Sequence, residues 1–309
     1  MREGLHRLAL AAAAAALAGC GLGAGPASEG TATLTVTRDY GTTTVAEASV
    51  EGPDESETVL RMLDRETEIE TRYGGGFVHS IEGIAGGAED GRRLDWFFYV
   101  NGIESPVGSA ERPVAGGARI WWDHHDWTDV MRVPAVVGSW PEPFLQASAG
   151  ADRLPVRVEC AAAAAPCRIA SERLSDEGVS VSTEQFRGDS DADALRLLVG
   201  PWRALRRDPG VAPIAAGPRD SGVFARFAAG ELVALDVRAD PIARLGRGAG
   251  LVAALRDGEE APTWVVSGTD GAGVAAAAEA LEPELLRDRY AVIVGAGAPE
   301  SLPVPVVDG

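Results

Sequence analysis

Lysine is absent from this 309-residue chain. Its 28 basic residues are therefore all arginine, set against 46 Asp and Glu, and the formal charge is -18. A surface this acidic repels phosphate backbones, which disfavours general nucleic-acid binding. Aromatic residues are scarce at 6%, whereas Gly (38) and Pro (19) are plentiful. That balance favours turns and small-residue packing over a helical bundle built on large side chains. Histidine occurs only at His6, His79, His124 and His125. A Ser-His-Asp or Cys-His arrangement confined to residues 151–309 is thereby excluded. No apolar run beyond the N-terminus approaches the roughly 20 residues of a spanning helix. What remains is 46% hydrophobic, enough for a sizeable core, in a length that suits one large or two ordinary domains.

The first twenty residues carry an address. Arg2 and Arg7 flank an apolar stretch from Leu8 to Leu17, which ends in Leu17-Ala18-Gly19-Cys20. A run of this size has the length of a signal-peptide core and is too short to span a bilayer. The small residues before Cys20 suit a peptidase subsite, and the Cys20 thiol can accept a diacylglyceryl group. The segment resembles the lipobox of bacterial lipoproteins, whose mature chain starts at the modified cysteine. The resemblance implies lipidation at Cys20, partnership with membrane lipid and an extracytoplasmic location. Acyl chains contribute about 0.8 kcal/mol per buried CH₂, so several of them hold a protein at a membrane durably. The alternative is an ordinary signal peptide cut nearby.

Only three cysteines are present. With Cys20 set aside, Cys160 and Cys167 remain in a compartment where thiols oxidise. A disulfide across Ala161–Pro166 constrains the unfolded chain by roughly 2–3 kcal/mol. A redox pair usually sits two residues apart, and no third thiol or nearby His completes a metal site. A structural staple is the expectation.

Composition divides the chain into a signal peptide (1–20), a Gly/Ala/Ser/Pro tether (21–30), a first body (31–130), a Pro-containing linker (131–150) and a second body (151–309). In the first body, Thr33-Leu34-Thr35-Val36-Thr37 alternates as a strand. Asp54-Glu55-Ser56-Glu57 offers a cap for a helix carrying Val59, Leu60, Met62 and Leu63. Phe77–Ile81, Asp95–Val100 and Ala118–Trp122 read as further strands. Asn101-Gly102 is the strongest hairpin-turn signal in the chain.

The helix Thr58-Val59-Leu60-Arg61-Met62-Leu63, then Val78-x-x-Ile81-x-Gly83, Trp96-x-x-Tyr99-Val100-Asn101-Gly102 and Ile120-Trp121-Trp122, follow one another in a recognisable order. Over residues 31–127 this resembles the transcobalamin-like C-terminal domain, a small α+β module. The resemblance implies that fold, and cobalamin as a cofactor only by analogy. The helical barrel that completes cobalamin binding in transcobalamins has no counterpart here.

The second body alternates short β-rich runs with helical ones. Strands are expected at Val156–Glu159, Val179–Thr183, Leu195–Val199, Val223–Phe227, Leu232–Val237, Trp264–Ser267 and Ala291–Val294. Helices are expected at Arg168–Glu177, Trp202–Arg207, Leu251–Arg256 and Gly273–Leu281. The whole is read as α+β: a small transcobalamin-like module followed by an α/β domain with a mixed sheet.

Four groups of residues invite a functional reading. Asp123-His124-His125-Asp126 is the densest set of metal-ligand types. Strand alternation puts Asp123 with His125 and His124 with Asp126, so a third ligand must come from elsewhere, such as His79 or Glu82. Trp96, Tyr99, Asn101, Trp121 and Trp122 form a candidate ligand face. Adjacent Trp121 and Trp122 cannot share one core, so one indole meets solvent, a ligand, the linker or the second body. The loops Gly268–Gly273 and Gly246–Gly250 lack G-x-G-x-x-G spacing, and Asp270 is more simply a helix cap. Arg203, Arg206 and Arg207 form a local basic helix.

These readings converge on a lipid-anchored envelope protein that binds a small ligand, a corrinoid or glycan, or a surface polymer, without catalysis. A scaffold that docks an envelope protein, and an enzyme of envelope polymers, are the alternatives.

Overall fold

A computed structural model describes residues 27–146, 153–161, 163–189 and 193–305. Cys20 and the rest of the N-terminal address lie outside the described residues. The first body holds strands β1 (Thr31–Arg38) and β2 (Thr43–Glu51), helix α1 (Val59–Glu66), and strands β3 (Ile69–Arg72), β4 (Phe77–Ile81) and β5 (Ile84–Ala85). Strands β6 (Gly87–Glu89), β7 (Arg92–Val100), β8 (Ile103–Glu104) and β9 (Arg119–Asp126) complete it. Its main sheet runs β2-β1-β9-β7-β6, with β8 on the end of β7. Strand β1 pairs parallel with β9, and the other neighbours are antiparallel.

Local chemistry explains the element ends. Thr58, not the acidic stretch before it, caps α1 by accepting from Arg61 N, while Asp54 closes a turn by accepting from Ser56 N and Oγ. Asn101 and Gly102 both have positive φ, 54° and 76°, as a two-residue I′ hairpin requires. The Asn101 side-chain oxygen then accepts from Arg119 N at 2.8 Å, tying the turn to β9.

The second body comprises β10 (Val156–Cys160), α2 (Ala164–Asp176), β11 (Val181–Gln185), β12 (Leu195–Pro201), α3 (Trp202–Leu205) and α4 (Pro218–Ser221). It continues with β13 (Ala225–Ala228), β14 (Glu231–Leu235), β15 (Pro241–Leu245), β16 (Gly250–Leu255), β17 (Thr263–Gly268) and α5 (Gly271–Glu279). Helix α6 (Pro283–Leu286) and strands β18 (Ala291–Val294) and β19 (Glu300–Leu302) end it. The main sheet, β11-β10-β12-β17-β16-β18-β19, is parallel through β17 and antiparallel beyond. Cys160 and Cys167 are bonded between the end of β10 and the first turns of α2. Asp270 caps α5, accepting from Ala272 N and Gly273 N.

Leu251–Arg256 is a strand, not the helix the sequence suggests. The run Leu251-Val252-Ala253-Ala254-Leu255 is buried on both faces, and periodicity cannot separate such a strand from a buried helix. The helix expected at Trp202–Arg207 shrinks to one turn.

Three cores stack in layers. Ala32, Leu34, Val36, Met62, Leu63, Ile120 and Trp122 fill the first body beneath α1. Leu197, Val199, Val252, Trp264, Val274 and Ala277 fill the helical side of the second sheet. Between the two main sheets lies a shared core in which Tyr40, Tyr99 and Trp121 meet Phe224, Leu251, Tyr290 and Ile293. The segment joining the bodies is packed rather than looped out. Val133 and Val136 enter the shared core, while Val137, Trp140 and Phe144 enter the helical-side core. Few helices and several mixed sheets give a sheet-rich α+β architecture. Among the described residues no helix is long and apolar enough to cross a membrane.

Candidate functional site

Alternation along β9 decides which side chains meet the second body. Ile120 and Trp122 enter the first core, and His124 packs on Trp96 with Nε2 3.2 Å from the Ala85 carbonyl oxygen. Arg119, Trp121, Asp123 and His125 take the opposite face. Strand β1 adds Thr33, Thr35 and Thr37 to that face, since Ala32, Leu34 and Val36 point to the first core.

At the centre of this face Asp123 is wholly enclosed. Its Oδ1 accepts from Thr37 Oγ1 (2.5 Å) and Gly41 N (2.9 Å). Its Oδ2 accepts from Tyr40 N (3.1 Å) and from the Tyr290 hydroxyl (2.9 Å). His125 Nδ1 lies 2.9 Å from the same Oδ2 and 3.0 Å from the Tyr290 oxygen. The tautomer protonated at Nδ1 lets imidazole and phenol donate to one carboxylate. Burial on its own would raise the Asp123 pKa, but the bonds from His125, Thr37 and Gly41 outweigh it and hold the carboxyl below its usual range. Burial, and then the charge of Asp123, push the Tyr290 and Tyr40 phenols upward, so both remain donors. Trp121 Nε1 donates to Thr37 Oγ1 at 2.8 Å, extending the chain of donors outward.

The structure corrects two expectations here. Trp96, Tyr99, Asn101, Trp121 and Trp122 do not form an open contact face, because all five are buried. Trp122 stacks on Phe98 inside the first core, and Trp121 packs edge-on against Tyr290 of the second body. The pair divides as strand geometry demands, with the second body covering the outward indole. Nor do Asp123, His124, His125 and Asp126 make a metal shell. Alternation separates them two and two, Asp126 Oδ1 accepts from Thr128, and the Asp123 oxygens are already saturated. His79 stands on β4 against Arg72, and Glu82 accepts from Glu68 N. Among the described residues no three His, Cys, Asp or Glu side chains converge.

What the face does offer is a cavity of about 360 Å³ between the bodies. Thr33, Thr35, Arg119 and Trp121 form one wall, and Gly138, Ser139, Arg287 and Asp288 the other. Arg119 Nη1 donates to the Trp140 carbonyl at 2.6 Å, which fixes its guanidinium at the rim. Burial pushes the Asp288 carboxyl upward, with Arg287 opposing. The bodies approach closely beside it: a Cβ on Gly41, whose φ is 81°, would lie 1.9 Å from the Asp288 carbonyl oxygen. Sequence reasoning found Trp121 but not Tyr290, Thr37, Ser139 or Asp288. The threonine alternation in β1 was the one available signal, whereas nothing local marks Tyr290 as a partner of Asp123.

Residues 56–126 match the model of a domain of unknown function (DUF4430), which spans α1 to β9. No curated protein matches the chain. A solved structure of a protein from Ruminococcus gnavus, for which metal binding has been suggested, is 16% identical. The match covers 32% of this chain and 98% of that one, with a TM-score of 0.25, too low to bear on function here.

Proposed function

We propose that this is a lipid-anchored extracytoplasmic binding protein that holds a short polyhydroxylated ligand, a glycan segment of a surface polymer, between its two bodies. One observation carries the reading. The inter-body cavity joins an indole edge, the hydroxyls of Thr33, Thr35 and Ser139, the guanidiniums of Arg119 and Arg287 and the carboxyls of Glu284 and Asp288 within about 360 Å³. Sugar hydroxyls both donate and accept, and a mixed lining of this kind serves both roles while Trp121 supplies an apolar wall. Walls drawn from both bodies fit a non-catalytic clamp. The Leu17-Ala18-Gly19-Cys20 motif supports the anchor, and the transcobalamin-like resemblance of residues 31–127 supports a ligand-binding module.

Trp fluorescence of the full chain, titrated with oligosaccharides from its own envelope, tests the site. Binding should disappear in Thr33→Tyr, which fills the cavity from an exposed position, with the melting temperature unchanged. Equal binding by this variant would remove the cavity from consideration. The anchor is tested separately, by the mass of the N-terminal peptide and by release of Cys20→Ala from membranes.

A further inference from the structure

Exposed apolar side chains are not scattered over this protein. Among the described residues five large hydrophobic side chains are exposed, Tyr73, Phe77, Val107, Met131 and Ile242, and the first three share one end of the first body. Tyr73 follows β3 with 87% of its surface open. Its ring meets that of Phe77, the first residue of β4, with centroids 6.1 Å apart. Gly74, Gly75 and Gly76 join the two. A Cβ on Gly108 would lie 3.8 Å from the Gly76 carbonyl oxygen, which brings Val107 to the same tip. Arg72, beside Tyr73, places Nη2 2.7 Å from His79 Nε2 and, among the described residues, has no carboxylate partner.

The same end receives the chain from the proposed anchor. Ala27 is bridged to Asp54, and Ser28 N donates to the Pro53 carbonyl at 2.9 Å. The Asp54 carbonyl accepts from Glu57 N, and Thr58 next to it caps α1. On the other side, the Ser109 carbonyl accepts from Leu60 N in the first turn of α1 at 3.0 Å, and Gly108 precedes it at the tip. Chain entry and aromatic tip therefore both stand at the N-terminal end of α1. Six residues, 21–26, separate Cys20 from Ala27. A segment of that length reaches at most about 20 Å when fully extended. An acylated Cys20 thus keeps this end of the first body close to the lipid surface.

We infer that this tip is a membrane contact: Tyr73, Phe77 and Val107 enter the headgroup region of the bilayer, and Arg72 meets lipid phosphate. The inference rests on the anchor proposed above and not on the cavity between the bodies. Tyrosine suits such a position, because its ring is apolar while its hydroxyl stays hydrated at the interface. Interfacial binding scales with the apolar area buried. Two rings and a valine are too little to hold a free protein, but they orient one that Cys20 already confines to the surface. The charge of -18 repels the rest of the molecule from anionic lipid and so restricts the contact to this end. A sugar is a poorer occupant, since the two rings are inclined at 69° and offer no common plane for stacking.

The full chain is reconstituted into phosphatidylcholine vesicles with and without bromine on the upper part of the acyl chains, and the N-terminal peptide is weighed in the same sample. Tyr73→Trp adds an indole at the tip to the seven of the parent. The added emission should shift to the blue and be quenched by the brominated lipid. Ile242→Trp, at an exposed position on β15 of the second body, should show neither effect. If Tyr73→Trp is unquenched on a chain that carries acyl groups, the contact is overturned and the anchor stands. Equal quenching at both positions overturns it as well, since that reports unspecific adsorption. A Cys20 without acyl groups removes the anchor and the contact with it. Other occupants have their own signatures. A blue shift that follows protein concentration in the absence of lipid assigns the tip to a second copy, and loss of oligosaccharide binding in Tyr73→Ser assigns it to a sugar; either result overturns the proposal.

Discussion

Tyr290 and Asp123, separated by 167 positions, share a hydrogen bond of 2.9 Å across the boundary between the two bodies. Among the described residues the phenol is the one donor to this carboxylate that comes from the second body; Thr37, Tyr40, Gly41 and His125 all belong to the first. The contact therefore couples the first fold to the second at a fully enclosed charge. It also fixes Trp121, whose indole lies edge-on to the Tyr290 ring and forms a wall of the inter-body cavity.

Tyr290→Phe should keep the ring contacts with Tyr40 and Trp121 while removing the donor. A buried carboxylate that loses one charged hydrogen bond costs about 1–3 kcal/mol. Chemical denaturation should show a loss of that size with an unchanged denaturant slope. Asp123→Asn should be non-additive with it, because both changes act on one bond. Additive losses in the double variant would mean that the two groups do not interact.

Glu142 should give the protein a stability that falls towards alkaline pH. The residue is almost wholly enclosed beside the segment joining the bodies, and its Oε2 accepts from Gln146 N at 3.1 Å. Burial pushes its carboxyl up to about 7 from an ordinary 4.5. The folded form thus holds a proton that the unfolded chain releases between those values, so stability declines as pH rises through this window. Glu142→Gln cannot ionise. Relative to the parent it should be neutral near pH 5 and more stable by about 3 kcal/mol above pH 8, using 1.36 kcal/mol per pKa unit. A stability difference independent of pH would show that Glu142 is ionised throughout.

Much of the architecture is legible in local pattern, and the parts that are not share a cause. Asn101-Gly102 announces its hairpin because only residues tolerant of positive φ fit both positions. Alternation through Asp123-His124-His125-Asp126 gives the correct split between faces, since a strand permits no other. The same rule limits Trp121 and Trp122 to opposite sides but cannot name what covers the outward one. That depends on Tyr290 and Gly138, which are distant in sequence. Leu251–Leu255 misleads because total burial erases the polar face that distinguishes a helix from a strand.

Arg196 is a guanidinium whose anions are built into the fold. It lies on β12, buried, with Nε 2.6 Å from Glu159 Oε1 and Nη2 2.5 Å from Asp208 Oδ2. Burial alone would lower its pKa, but the bonds to Glu159 and Asp208 outweigh that and hold it firmly charged. Removing only the cation by Arg196→Met would leave two enclosed carboxylates facing each other. Breaking a buried ion pair on one side costs about 3–5 kcal/mol, and a loss in that range is expected from the denaturation midpoint. Replacing all three together, as Arg196→Met with Glu159→Leu and Asp208→Asn, should recover most of it, because the carboxylates then no longer need a counter-charge. Asp208 also accepts from Gly210 N at 2.9 Å, and the asparagine oxygen preserves that bond. A triple variant as unstable as Arg196→Met would show that the loss comes from packing of the arginine stem rather than from unpaired charge.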